Sequence, residues 1–249
     1  MISWPLLVAT EAEAPRLAMK TLGMIGGMSW QSTMPYYDVV NRAVAERLGG
    51  YHSAKILLLS VDFAEIEACM SSSRWEEAGK MLGDAAARLE GAGAELLLLC
   101  TNTLHKVAPQ IEARIRIPFL HIVDAAAEEI RRVGARRVGL LATRFTMEQD
   151  FYRDRLAGHG IQTLVPDEAD RAEVHRIIFD ELVHGRAEDA SRREVRRIAA
   201  ALADRGAQGV VLACTELAMI LGPGDAPCPV FDTTELHARA GAARALDGS

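Results

Sequence analysis

The sequence predicts a parallel α/β protein built from two similar halves. Three observations carry this. Short apolar runs alternate with amphipathic helical stretches along most of the chain. The runs are nearly continuous in apolar residues, as strands covered on both faces should be, rather than alternating. The second half also repeats the first at a nearly constant spacing.

Taken in order, the predicted strands are Leu22–Gly26, Ile56–Ser60, Glu95–Cys100, Ile117–Ile122, Arg137–Ala142, Gln162–Val165, Gly209–Ala213 and Pro229–Phe231. Each is short, and most are followed by a glycine, a proline or a polar residue. Between them lie helical stretches such as Ser32–Leu48, Arg74–Glu90 and Glu188–Arg205. The first of these takes Ser32 or Thr33 as its N-cap, because a hydroxyl can accept from the free N–H groups of the first turn. Gly49 stops it.

The repeat is legible at four places. Leu22-Gly23-Met24-Ile25 reads against Val138-Gly139-Leu140-Leu141, and Tyr36-Tyr37-Asp38 against Tyr152-Arg153-Asp154, both 116 residues apart. Gly93-Ala94-Glu95 reads against Gly206-Ala207-Gln208 at 113, and Pro118 against Pro229 at 111. The drift is what changes in loop length produce. The matches recur in the same order on the same element types, which gives halves of about 19–132 and 133–249.

Composition narrows the function classes. The 249 residues carry a net charge of −6, which argues against nucleic acid as a partner, since phosphate binding wants a basic face. Runs such as Leu96–Cys100 fall far short of the roughly 20 residues that cross a bilayer, so no membrane partner is expected. Residues 1–18 lack a basic start and a long apolar segment. They read as a poorly ordered leader, an artefact of start-codon choice, and the cytoplasm is the default compartment. Four scattered cysteines do not make a disulfide scaffold, and no C-x-x-C pair or H-E-x-x-H motif suggests zinc. Only four lysines are present, so Schiff-base chemistry has few candidates.

In parallel α/β sheets ligands bind at the carboxyl ends of the strands. One such end is Gly26-Gly27-Met28-Ser29-Trp30-Gln31-Ser32-Thr33, running into a helix. Its glycines allow close backbone approach, and the helix start favours an anion. It matches neither G-x-G-x-x-G nor the P-loop pattern, so nucleotide binding has little support. Two further ends are Cys100-Thr101-Asn102-Thr103-Leu104-His105 and Cys214-Thr215-Glu216-Leu217. By eye the two Cys-Thr pairs align. The repeat register forbids it: Gly93 to Thr101 and Gly206 to Cys214 are both eight residues, so Thr101 stands opposite Cys214 and Cys100 opposite Ala213. Strand side chains alternate, so Cys100 points into a packing layer. Cys69 and Cys228 also read as core thiols. Cys214 lies just before a helix start, a position that can lower a thiol pKa into the neutral range.

Taken together, Gly26-Gly27-Met28-Ser29, Cys100-Thr101-Asn102-Thr103 with His105, and Ala213-Cys214-Thr215-Glu216 resemble the aspartate/glutamate racemase family, from Met19 to about Leu246. The resemblance implies two pseudo-symmetric domains, 19–120 plus 233–249 and 121–232, with the active site in the cleft between them and the last helix packed on the first domain. It implies no cofactor, no metal and a homodimer. It implies a cleft for aspartate or glutamate in which one thiolate removes the Cα proton and a thiol on the opposite face returns one. Expected substrate contacts are Gly27, Met28, Ser29, Gln31, Asn102, Thr103, Thr215 and Glu216, several through backbone N–H groups.

The chain departs from the family where the first cysteine should precede the Asn-Thr pair. That position is Thr101, so the expected catalytic pair is Cys214 with Thr101. A hydroxyl is a poor base beside a thiol but can donate or relay a proton. The family's second cysteine serves the L-face, so the resemblance implies preference for the L-substrate. Arg171 is the expected cation for the distal carboxylate, with His175 and Arg176 nearby; Glu173 stands where a lysine is often found. His105 is a candidate to orient its turn, with Ser32 a secondary contact and His121 and Asp232 structural. Two alternatives stay open: a single-cysteine decarboxylase or isomerase of the same superfamily, resembling the arylmalonate decarboxylases, and an amino-acid-binding protein without strong catalysis.

Overall fold

The computed structural model describes residues 19–247, so the expected leader at 1–18 lies outside the described residues. The first half runs β1 (Leu22–Gly26), α1 (Trp30–Leu48), β2 (Ile56–Ser60), α2 (Phe63–Ser71), α3 (Trp75–Gly91), β3 (Leu96–Leu99), α4 (Ala108–Glu112), β4 (Phe119–Leu120) and α5 (Ile122–Arg132). The second runs β5 (Arg137–Ala142), α6 (Arg144–Glu148), α7 (Asp150–Gly158), β6 (Gln162–Leu164), α8 (Glu168–Asp180), α9 (Asp189–Asp204), β7 (Val210–Ala213) and β8 (Val230–Asp232). The final helix, α10, covers Thr233–Leu246.

The strands form two parallel four-stranded sheets, ordered β2-β1-β3-β4 and β6-β5-β7-β8. The order is the same in both, which is the sequence repeat expressed as topology. Three strands coincide with the predicted bounds and the others shift by a residue or two at their ends. Burial on both faces explains this legibility for the inner strands β1, β3, β5 and β7. Leu22, Met24, Leu96, Leu98 and Cys100 pack with α1 and α10, while Ile25, Leu97 and Leu99 pack with α2, α3 and α4. Each fully buried leucine contributes about 2 kcal/mol against leaving it in water.

α10 turns back onto the first half. Ala238, Ala242, Ala245 and Leu246 share one core with Leu22, Tyr36, Val40 and Val44 of β1 and α1. Gly241 lies against Leu98, whose side chain a Cβ would meet at 2.7 Å. No helix among the described residues is long and apolar enough to cross a membrane.

Three histidines are sealed under the first sheet's carboxyl end. His105 donates from Nδ1 to the Thr101 carbonyl at 2.7 Å and accepts the Ile122 N–H at Nε2. His237 donates from Nε2 to the Leu120 carbonyl at 2.8 Å and accepts the Tyr36 hydroxyl at Nδ1. His121 caps α5 by accepting the Val123 N–H. Asp232, its repeat partner, caps α10 by accepting from Thr234 and Glu235, so both are structural as expected.

Burial holds all three rings neutral, with His121 pushed down to about 3 and His237 to about 4. In the unfolded chain they protonate near pH 6.5. Their contribution is therefore complete above pH 6.5 and declines as pH falls towards the folded values, by on the order of 3 kcal/mol for His237 alone. The denaturant midpoint should hold between pH 7 and 8 and fall steadily from about pH 6 to pH 4. A midpoint flat to pH 4 contradicts this.

Candidate active site

The sheet registers settle which residues face each other in the repeat. Ile25 pairs with Leu99 on β1 and β3, and Ala142 pairs with Ala213 on β5 and β7. Gly26 is the repeat equivalent of Ala142, and the next partner of Gly26 is Cys100. Cys100 therefore matches Ala213, and Thr101 matches Cys214. The expected register holds.

Cys100 is fully buried in the core shared by α1 and α10, and burial drives its thiol well above the usual range. Thr101 and Cys214, each 7% exposed, line one cavity between the two sheets' carboxyl ends. Met28, Ser29, Asn102, Thr103, Thr215 and Glu216 line it too. Gly27, Gln31 and Arg171 do not.

The turn after β1 differs from expectation in two ways. α1 starts at Trp30, and its N-cap is Ser29 rather than Ser32 or Thr33; the Ser29 hydroxyl accepts the Ser32 N–H. Thr33 instead accepts the Gly27 N–H at 2.8 Å, so that N–H is not free for a ligand. Gly27 has φ +93°, and a Cβ there would sit 2.2 Å from the Val61 carbonyl oxygen. The glycine is needed for the close approach of β1 and the turn after β2. Gln31 spans the halves, donating to the Val183 carbonyl at 2.9 Å.

Glu216 collects the site. Its Oε1 accepts from Ser29 (2.8 Å) and Ser32 (2.6 Å) at the start of α1. Its Oε2 accepts from the Cys214 thiol (3.1 Å) and the Thr215 hydroxyl (2.6 Å). The Ser32 and Thr215 hydroxyls also touch each other. This buried carboxylate therefore joins both halves through four charge-assisted bonds, at a helix start that favours negative charge. Sequence reading placed Glu216 against substrate; the geometry gives its oxygens to protein donors.

The same carboxylate corrects the expectation for Cys214. Burial first, then the Glu216 charge and its hydrogen bond, push the thiol well above its ordinary range, outweighing the backbone N–H groups of Glu216 and Leu217. A short helix start lowers a thiol pKa only where nothing stronger opposes it.

Opposite, the Asn102 amide donates to Thr233 at 3.0 Å and its carbonyl accepts from the Tyr152 hydroxyl at 3.2 Å. Thr103 sits 3.1 Å from both Thr143 and Thr146. His105 bonds the Thr101 carbonyl through Nδ1 and the first N–H of α5 through Nε2.

Sequence reasoning missed Thr143, which lines the cavity and is the repeat equivalent of Gly27, a signal the 116-residue spacing contained. It also missed an apolar wall. Phe63 and Met70 of α2, Ile178 and Phe179 of α8, and Val183 in the turn after α8 complete the lining. Among the described lining residues there is no Lys, Arg or His. Arg171 is drawn to Glu148 and the Pro166 carbonyl, and Arg176 to Glu173 and Glu181. His175 accepts the Arg144 N–H. Among the described residues no cluster of three or more His, Cys, Asp or Glu is placed to hold a metal ion.

Comparison with known proteins agrees with this architecture. The sequence model of the Asp/Glu/Hydantoin racemase family matches residues 25–241. A Yersinia pestis crystal structure named as a candidate Asp/Glu racemase is 51% identical, covers 92% of this chain and 100% of its own, and superposes with a TM-score of 0.87. The aspartate racemase homologue of Pyrococcus horikoshii OT3 is 36% identical over 91% of this chain and 99% of its own, with a TM-score of 0.80. The broad specificity amino-acid racemase RacX of Bacillus subtilis is 22% identical over 88% of this chain and 95% of its own. With its paired parallel sheets and its cleft between their carboxyl ends, the chain belongs to the Asp/Glu/hydantoin racemase family.

Proposed function

We propose that this protein is a cofactor-independent amino-acid racemase in which Cys214 moves the Cα proton and Thr101 serves the opposite face. The observation that carries this is the register: Thr101 and Cys214 occupy equivalent positions on the two sheets and line one cavity. Aspartate and glutamate are the substrates the family resemblance implies. A two-fold repeat is a direct way to present one proton-transfer group to each face of a planar carbanion.

Cys214 rests as a thiol donating to Glu216. Its proton passes to the Glu216 carboxylate, and the resulting thiolate takes the Cα proton from the L-face. Hydroxyl and backbone donors at the turns then stabilise the carbanion's oxygens, in a cavity that excludes most water. The abstracted proton exchanges with the one on Glu216 and, through it, with solvent, so the thiol returns a solvent-derived proton to regenerate L-substrate and takes its own proton back from Glu216. Alternatively Thr101 delivers a proton to the other face and is reprotonated from water, while Glu216 releases its proton to solvent. The thiol is much the better acid and base, so the site handles the L-enantiomer preferentially. A second reading has one observation in its favour: the apolar wall also suits an arylmalonate decarboxylase. Carbon dioxide release from phenylmalonate, without exchange of any amino acid, decides for it.

In D2O, L-substrates should lose the α-proton at least about tenfold faster than D-substrates, read by proton NMR over a panel that includes aspartate and glutamate. Equal rates from both enantiomers overturn the one-thiol site. Cys214→Ala should remove exchange, and Cys100→Ala should keep most of it. Thr101→Cys should raise D-substrate exchange; no gain means that Thr101 does not face the substrate.

Glu216→Gln removes the charge beside Cys214, so the pH midpoint of its alkylation by iodoacetamide should fall. A midpoint that stays or rises contradicts the role given to Glu216.

A further inference from the structure

Resting on the racemase reading, we infer that the side-chain end of the cleft takes an uncharged, apolar amino-acid side chain in preference to a second carboxylate. Three observations converge. First, five hydrocarbon side chains line the cavity, two from the first half and three from the second: Met70 and Ile178 are buried, while Phe63, Phe179 and Val183 are half-buried. These residues come from α2, α8 and the turn after α8, whereas the hydroxyl and thiol groups come from the strand ends.

Second, basic groups around this wall are committed elsewhere: Arg74 bonds Glu77, and Arg186 bonds the Asp180 carbonyl. Arg171 bonds the Pro166 carbonyl at 2.9 Å and Glu148 at 3.3 Å. Arg176 is held between Glu173 and Glu181. Lys106 lies over the Trp75 ring at 4.0 Å and bonds Gln149. None lines the cavity.

Third, the cavity already carries the Glu216 carboxylate. A zwitterion with a neutral side chain adds no net charge beside it. Aspartate or glutamate adds a further negative charge with no cation to meet it, and a buried charge without a partner is strongly disfavoured.

The test is a comparison of L-methionine and L-leucine with L-aspartate and L-glutamate. It uses the full chain in D2O, with α-proton exchange by NMR and, separately, the rise in melting temperature at equal ligand concentration. The expected result is kcat/KM at least about tenfold higher for L-methionine or L-leucine than for either acidic substrate, with a matching order of thermal shifts. Phe179→Arg, at the half-buried rim, should move the ratio towards aspartate. Exchange and thermal shifts led by aspartate or glutamate overturn the inference and leave the racemase standing. Thermal shifts led by L-methionine, with no exchange from any amino acid, support apolar recognition and overturn the racemase.

Discussion

One buried carboxylate holds the cleft in register. Glu216 sits where the second half's strand β7 ends, and it takes two hydroxyl protons from the start of α1 in the first half. It also takes the Thr215 hydroxyl and the Cys214 thiol of its own turn. Losing one donor from such a group leaves a partly unsatisfied buried charge, which is costlier than losing a neutral hydrogen bond. The arrangement therefore fixes both the approach of the halves and the protonation state of the thiol. In the proposed mechanism Cys214 rests as a thiol and becomes a base by passing its proton to Glu216.

The pseudo-symmetry shows where the two halves were made different. Tyr36 and Tyr152 are equivalent and both fully buried, yet one donates to His237 and the other to Asn102. His121 and Asp232 are equivalent and do the same work, capping α5 and α10. Gly27 and Thr143 diverge because the first must pass close to the Val61 backbone while the second reaches the cavity. Thr101 and Cys214 diverge in chemistry while keeping position. In the proposed racemase, a symmetric scaffold with one thiol and one hydroxyl treats the two enantiomers unequally.

The sheets were readable from sequence because strands buried on both faces write themselves as unbroken apolar runs. β1 and β5 coincide with their apolar runs for that reason, whereas β2 is an edge strand, only partly buried, whose apolar run still marks its bounds. The Cys100 and Thr101 distinction was readable too, since strand alternation and the repeat give the same answer. What sequence did not show arises from contacts between distant segments. Ser29, Ser32 and Thr33 all have hydroxyls able to cap a helix, and only the fold shows that Thr33 serves Gly27 instead. The Cys214 thiol obeys burial and a neighbouring charge rather than its helix start. Arg171 was placed in the site by resemblance, but Glu148 and the Pro166 carbonyl hold it away. The apolar lining from α2 and α8 has no sequence signature, because its members come to one cavity only after both halves have folded.

The central claim is that Cys214 alone exchanges protons efficiently across this cleft. It is tested most directly by following where deuterium first appears when an L-substrate is turned over in D2O. The account predicts that deuterated L-substrate accumulates ahead of any D-product, because the thiol exchanges the abstracted proton with solvent through Glu216 and returns a deuteron to the same face faster than Thr101 delivers one to the other. Deuterium appearing first in D-product, with the remaining L-substrate unlabelled, would contradict it.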